Sequence, residues 1–94
     1  MGVIMARCCV KTRVIGHVQG VGFRFHTAHQ GLMLDLTGYA RNLADGSVEV
    51  LACGDQENID RLIAWLQHGP KTATVEWLTS ETLAWQHLNG FKMN

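Results

Sequence analysis

Arg24, Asn42 and three glycines at positions 16, 20 and 22 are the residues of this chain whose types and spacing suit one kind of chemistry, the holding of an anion. Val14 to Arg24 reads VIGHVQGVGFR. Val14 and Ile15 read as the end of a strand. Gly16, His17, Val18, Gln19, Gly20, Val21 and Gly22 then read as a loop, and Phe23 opens a helix with Arg24 in its first turn. Glycines let a backbone adopt positive φ and approach a ligand closely. Loop amides and the unpaired amides of a helix start can then point at one spot, where the helix adds roughly half a positive charge. A guanidinium in that first turn can clamp two oxygens of a phosphate or carboxylate with parallel hydrogen bonds. Such a glycine-rich run can also be no more than a turn, so the elements around it matter.

Cys8 to Ile15 alternates as a first strand, with Val10, Thr12 and Val14 on one face. Phe23 to about Leu34 reads as a helix with Phe25, Ala28 and Leu32 at helical spacing. Gly31 weakens it by roughly 1 kcal/mol relative to alanine, and Asp35 is placed to close it in a left-handed conformation. Leu36–Ala44 and Ser47–Cys53 are expected strands joined by Asp45-Gly46, a two-residue hairpin signal. In the third strand Val48, Val50 and Ala52 face the core, while Ser47, Glu49 and Leu51 face away. Asp55 is the expected N-cap of a second helix with the apolar stripe Ile59, Leu62, Ile63 and Leu66, ended by Gly69-Pro70. Thr74–Thr82 alternates as a fourth strand, and Leu88–Asn94 offers a short edge strand through Phe91 and Met93.

The order β-α-β-β-α-β is that of the ferredoxin-like split βαβ sandwich, an α+β fold with an antiparallel sheet and two helices on one face. The third strand then lies between the first and second, and the crossover joining those two is right-handed. The glycine loop and the end of the second strand therefore open on one edge of the sheet. Asn42 has the parity of Leu36, Gly38 and Ala40, on the helix side, so its amide is aimed at the start of the first helix. Arg24 and Asn42 can meet across one anion.

With these elements in place the sequence resembles the acylphosphatase family. One family signature is matched at Gly16, Val18, Gln19, Gly20, Val21, Phe23 and Arg24, and a second at Gly38, Tyr39, Ala40, Arg41, Asn42, Gly46, Val48 and Gly54. The likeness runs from about Cys8 onward, departing at Asp35, where family members commonly have glycine. The resemblance implies hydrolysis of the carboxyl–phosphate bond of acyl phosphates, with no metal or other cofactor. It assigns phosphate binding to Arg24 with the amides between Gly16 and Phe23, and orientation of the attacking water to Asn42. Phosphoryl transfer asks for charge stabilisation and an in-line nucleophile more than for covalent catalysis. A carboxylate is already a good leaving group, so the lack of paired acids in the motifs is expected. The bound phosphate is itself a candidate to accept the water's proton. The alternative from another class is a phosphoryl-ligand binding module without turnover.

Composition narrows the field. The chain has 94 residues, enough for a single domain, and 47% of them are hydrophobic. Eight Lys and Arg balance eight Asp and Glu, so the basic excess behind most nucleic-acid affinity is lacking. No apolar run approaches the roughly 20 residues of a membrane span, and Gly2–Met5 is too short for a signal peptide. The expected protein is a cytoplasmic monomer acting on a small molecule, with residues 1–7 as an N-terminal extension. Gln19 is expected to brace the loop, His17 to be incidental, and His26 with His29 to be exposed, since no third metal ligand accompanies them. Trp65, Trp77 and Trp85 are expected to pack or cover edges. Of three cysteines, Cys9 opens the first strand and Cys53 closes the third, with the same outward parity. A cytoplasmic chain should keep thiols reduced; the shared parity raises the hypothesis of an oxidisable Cys9–Cys53 pair, and whether the two form a disulfide stays open at this point.

Overall fold

The computed structural model describes residues 6–94; the expected extension over residues 1–7 lies outside them except for its last two positions, where Arg7 already belongs to the first strand. The elements are β1 (Arg7–His17), α1 (Phe23–Met33), β2 (Thr37–Asn42), β3 (Val48–Asp55), α2 (Gln56–Leu66), β4 (Thr74–Leu83) and β5 (Phe91–Met93). They form one sheet in the order β4-β1-β3-β2-β5. β3 runs antiparallel to both β1 and β2, β4 antiparallel to β1, and β5 parallel to β2. This is the expected ferredoxin-like arrangement with its added edge strand.

Strand parity builds the core. Val10 and Val14 of β1, Ala40 of β2 and Val48, Val50 and Ala52 of β3 share one buried cluster with Phe23 and Ala28 of α1 and Ile59, Leu62 and Leu66 of α2. Both helices thus cover one face. The opposite face is not bare. Leu51, expected to face solvent, is buried there with Cys9 and Cys53 beneath Tyr39, Leu83 and Leu88. Cys9 and Cys53 stand opposite in the β1–β3 register and are joined by a disulfide, the pairing that their parity left open. Cys8, on the other face, is free and donates to Gln56 Oε1 (2.9 Å).

Several local features differ from the sequence reading. The face α1 buries is Phe23, Thr27, Ala28 and Gly31, not the apolar series Phe25, Ala28 and Leu32, of which Phe25 and Leu32 are exposed. Small residues win because β5 comes close: a methyl group on Gly31 would lie 2.4 Å from the ring of Phe91. Helix propensity is overridden by that contact. At the other end the expectation for Asp35 holds. It sits at φ 55°, with Leu36 N–H bonded to Gly31 O and Asp35 N–H to Leu32 O, the paired bonds of a Schellman stop.

The β2–β3 hairpin has a three-residue loop, Ala44-Asp45-Gly46, rather than two. Leu43 and Ser47 close it through Leu43 N–H to Ser47 O (2.8 Å), with Gly46 N–H to Leu43 O (3.2 Å) inside. That is a turn followed by a positive-φ glycine, the next commonest hairpin solution. Asp55 occupies the N-cap of α2 but makes no capping hydrogen bond. The Gln56 amide bonds instead to Ala6 O (2.9 Å).

Candidate active site

β1 runs two residues beyond its expected end, so Gly16 and His17 belong to the strand and not to the loop. The register shifts between Ile15 and Gly16, and a side chain at Gly16 would collide with the carbonyl of Thr74 in β4. Gly16 therefore lets two strands close up beside the loop. His17 pairs with Thr74 and is exposed.

The loop proper is Val18 to Gly22. Val18 and Phe23 at its ends are each 1% exposed and plug the core, Phe23 against Trp65 with ring centroids 6.1 Å apart. Between these anchors Gly20 and Gly22 take φ 74° and 77°, where any other residue would be strained. Gly22 is the N-cap of α1. No side chain caps that helix, and its first turn holds no acidic residue. Its first main-chain bond is from His26 N–H to Gly22 O (3.1 Å), so the amides ahead of it have no helical partner.

The loop is clasped from both sides. Gln19 Nε2 donates to Leu43 O (2.8 Å) and Ser47 O (2.9 Å) at the mouth of the β2–β3 hairpin, the bracing role expected of it. Thr72, ahead of β4, donates its hydroxyl to Val21 O (2.7 Å). Sequence reasoning missed Thr72, since nothing in its local pattern connects it with a loop fifty residues earlier.

Arg24 projects from the first turn of α1 toward β5, where Nη1 donates to the main-chain oxygen of Asn94 (2.8 Å). Asn94 N–H in turn donates to Ala40 O (2.9 Å). Asn42, two residues on from Ala40 and on the same face of β2, is exposed at the strand's end. The guanidinium, the loop and the amide thus share one edge of the sheet, as topology required. Beside Asn42 the outer face is braced: Arg41 Nε lies 2.9 Å from Glu49 Oε2, which also accepts from Tyr39 Oη (2.7 Å). Burial first, then that hydrogen bond, raises the Tyr39 phenol above its ordinary value.

The hairpin that receives Gln19 carries its own polar knot. Asp45 accepts from the Ser47 hydroxyl and amide and pairs with Arg13. Those bonds, with Ser47 dominant, hold the Asp45 carboxyl down at about 2. Its folded value lies below the unfolded value of roughly 3.9, so the stability it contributes is present above about pH 4 and lost as pH falls through about 2. Asp45→Asn should therefore show a smaller drop in urea midpoint than wild type between pH 5 and pH 2. Equal drops would mean that Asp45 contributes nothing.

Among the described residues no group of three His, Cys, Asp or Glu is placed to hold a metal ion, and His26 and His29 are exposed. Trp65 packs on Phe23, Trp85 lies under the Arg7 guanidinium (5.5 Å), and Trp77 is exposed on β4. None of the helices among these residues is long and apolar enough to cross a membrane.

The profile of the acylphosphatase family matches residues 10–93. The chain is 57% identical over 89 residues to an acylphosphatase of Photobacterium profundum, covering 95% of this chain and 99% of that one. It is 59% identical over 85 residues to an acylphosphatase of Vibrio parahaemolyticus, covering 90% and 94%. Among solved structures, an acylphosphatase from Coxiella burnetii superposes with a TM-score of 0.90 at 35% identity, covering 94% of this chain and 93% of that one.

Proposed function

The chain belongs to the acylphosphatase family and hydrolyses acyl phosphates, and from that premise we propose that Arg24 and the amides of the Val18–Phe23 loop hold the phosphoryl group while Asn42 orients the attacking water. The observation that carries this reading is the uncapped start of α1. Its amides, beside two left-handed glycines and next to a guanidinium, form a ready site for phosphate oxygens. Gly16 and His17 stand just outside this cradle, in β1.

The reaction then runs on charge and position. Loop amides and Arg24 spread over the phosphoryl oxygens, whose charge changes as the bond to the carboxylate breaks. Asn42 can accept a hydrogen bond from a water through its carbonyl and donate to an oxygen through its amide. That pairing fixes the water in line with phosphorus, and a phosphate oxygen is the acceptor we assign to its proton. Water attacks, the carboxylate leaves, and inorganic phosphate is released, without metal or cofactor. The residues proposed for the site all come from one chain, so we take the working unit to be a monomer. The balanced charge argues against a nucleic-acid partner, and we place the protein in the cytoplasm.

Phosphate release from a synthetic aromatic acyl phosphate, with chelator present, tests the reading. Turnover should persist. Arg24→Lys is expected to weaken phosphate binding by about tenfold or more, because a point charge cannot reproduce a bidentate fork. Loss of activity with chelator, or unchanged phosphate affinity in Arg24→Lys, would count against it.

A further inference from the structure

What borders the anion site along α1 is apolar. Two contacts fix the rotation of the helix: Phe23 packs on Trp65 of α2, and Gly31 meets Phe91 of β5. Arg24 lies on the β5 flank with Gly31, since it reaches Asn94. Phe25 and Leu32 each follow one of these two residues, so they lie about 100° further round, beyond β5 and on one line. They are 60% and 54% exposed. On β5, Met93 has the parity of Phe91 and faces the helix side, 52% exposed.

Phe25 and Met93 are the chain neighbours of Arg24 and Asn94, which touch. Phe25 and Met93 thus flank the contact of the guanidinium with the main chain, and Leu32 stands two turns further along the same side of α1. Phe25 and Leu32 are about 10 Å apart along the helix axis. Scattered exposed apolar residues are ordinary; a strip that starts at a charged site is placed to be used. The acyl carbon of an acyl phosphate is one oxygen away from phosphorus. With phosphate on Arg24 and the water in line at Asn42, the acyl group lies across phosphorus from Asn42 and within reach of residues that border Arg24.

We infer that this strip receives the acyl group of the substrate, and that Phe25 and Met93 select aromatic and medium-length aliphatic acyl phosphates over acetyl phosphate. The inference rests on Arg24 being the phosphate ligand. Apolar contact with a group remote from phosphorus is made equally in ground and transition states, so it belongs in KM and not in kcat.

The test is steady-state phosphate release from acetyl, benzoyl and octanoyl phosphates by wild type, Phe25→Ser, Phe25→Leu, Met93→Ser and Met33→Ser. Met33 is 68% exposed at the far end of α1 on its other flank. Phe25→Ser and Met93→Ser should raise KM for benzoyl and octanoyl phosphates by about fivefold at unchanged kcat, with acetyl phosphate changed less than about twofold. Phe25→Leu should restore most of the octanoyl preference, and Met33→Ser should alter none of the three. Equal effects on all three substrates, or no effect, overturn the inference while leaving hydrolysis through Arg24 and Asn42 intact. Failure of that underlying assignment shows separately, as unchanged phosphate affinity in Arg24→Lys.

Discussion

Asn42→Ala is expected to lower kcat by about 10²-fold or more while leaving affinity for inorganic phosphate within about twofold. The separation follows from where the residue sits. Asn42 ends β2 at the edge of the sheet, whereas the groups proposed to hold the anion come from the loop and the first turn of α1. Removing the amide leaves the proposed cradle whole and takes away the group proposed to fix the water. Alanine at an exposed strand end should cost little stability, so the loss is one of rate. Steady-state kinetics beside a phosphate titration would decide it. If phosphate affinity collapsed together with kcat, Asn42 would be a phosphate ligand, and another group would have to orient the water.

The second large effect is on stability. The bond between Cys9 and Cys53 spans a sequence separation of 44 residues, and closing a loop of that length is worth about 4 kcal/mol in the chain-entropy account. Domains of this size are stable by roughly 5–15 kcal/mol, so reduction should remove a large share. Both cysteines are at most 1% exposed, and reductant should act slowly until the fold opens. Urea unfolding with and without reductant, in a Cys8→Ala background, is expected to show the reduced protein less stable by about that amount. Coincident curves, or three free thiols in the denatured and unreduced wild type, would refute the bridge.

The element order, the pairing of β1 with β3 and the edge shared by Arg24 and Asn42 were legible because they follow from strand parity and topology, which a sequence displays directly. The Cys9–Cys53 bond was permitted by the same parity but not fixed by it. The buried face of α1 was not legible. Two of its large apolar residues, Phe25 and Leu32, point outward, and beside Phe23 its inner face uses Thr27 and Gly31, the latter with a role that appears only once Phe91 is seen against the helix. Gly16 misled for a related reason. A glycine beside a glycine-rich loop looks like part of it, but its lack of a side chain serves the approach of Thr74 in β4. Asp55 shows that residue type gives the position of a cap without its hydrogen bond. Thr72 and the attachment of Arg13 to Asp45 and Ser47 depend on contacts between distant segments and left no local mark.

The strand order also bears on how fast this site can come into being. β1 leads into the loop, yet its neighbours are β3 and β4, so that Cys9 stands between Cys53 and Leu83. Among the described residues only the β2–β3 hairpin joins strands adjacent along the chain. Every other pairing must close a long loop before any contact compensates the entropy spent. Folding should accordingly be slow for a chain of this size, paced by topology rather than by helix formation. The Val18–Gly22 loop, held by Gln19 to the hairpin and by Thr72 to the approach to β4, can be rigid only after those distant strands have docked.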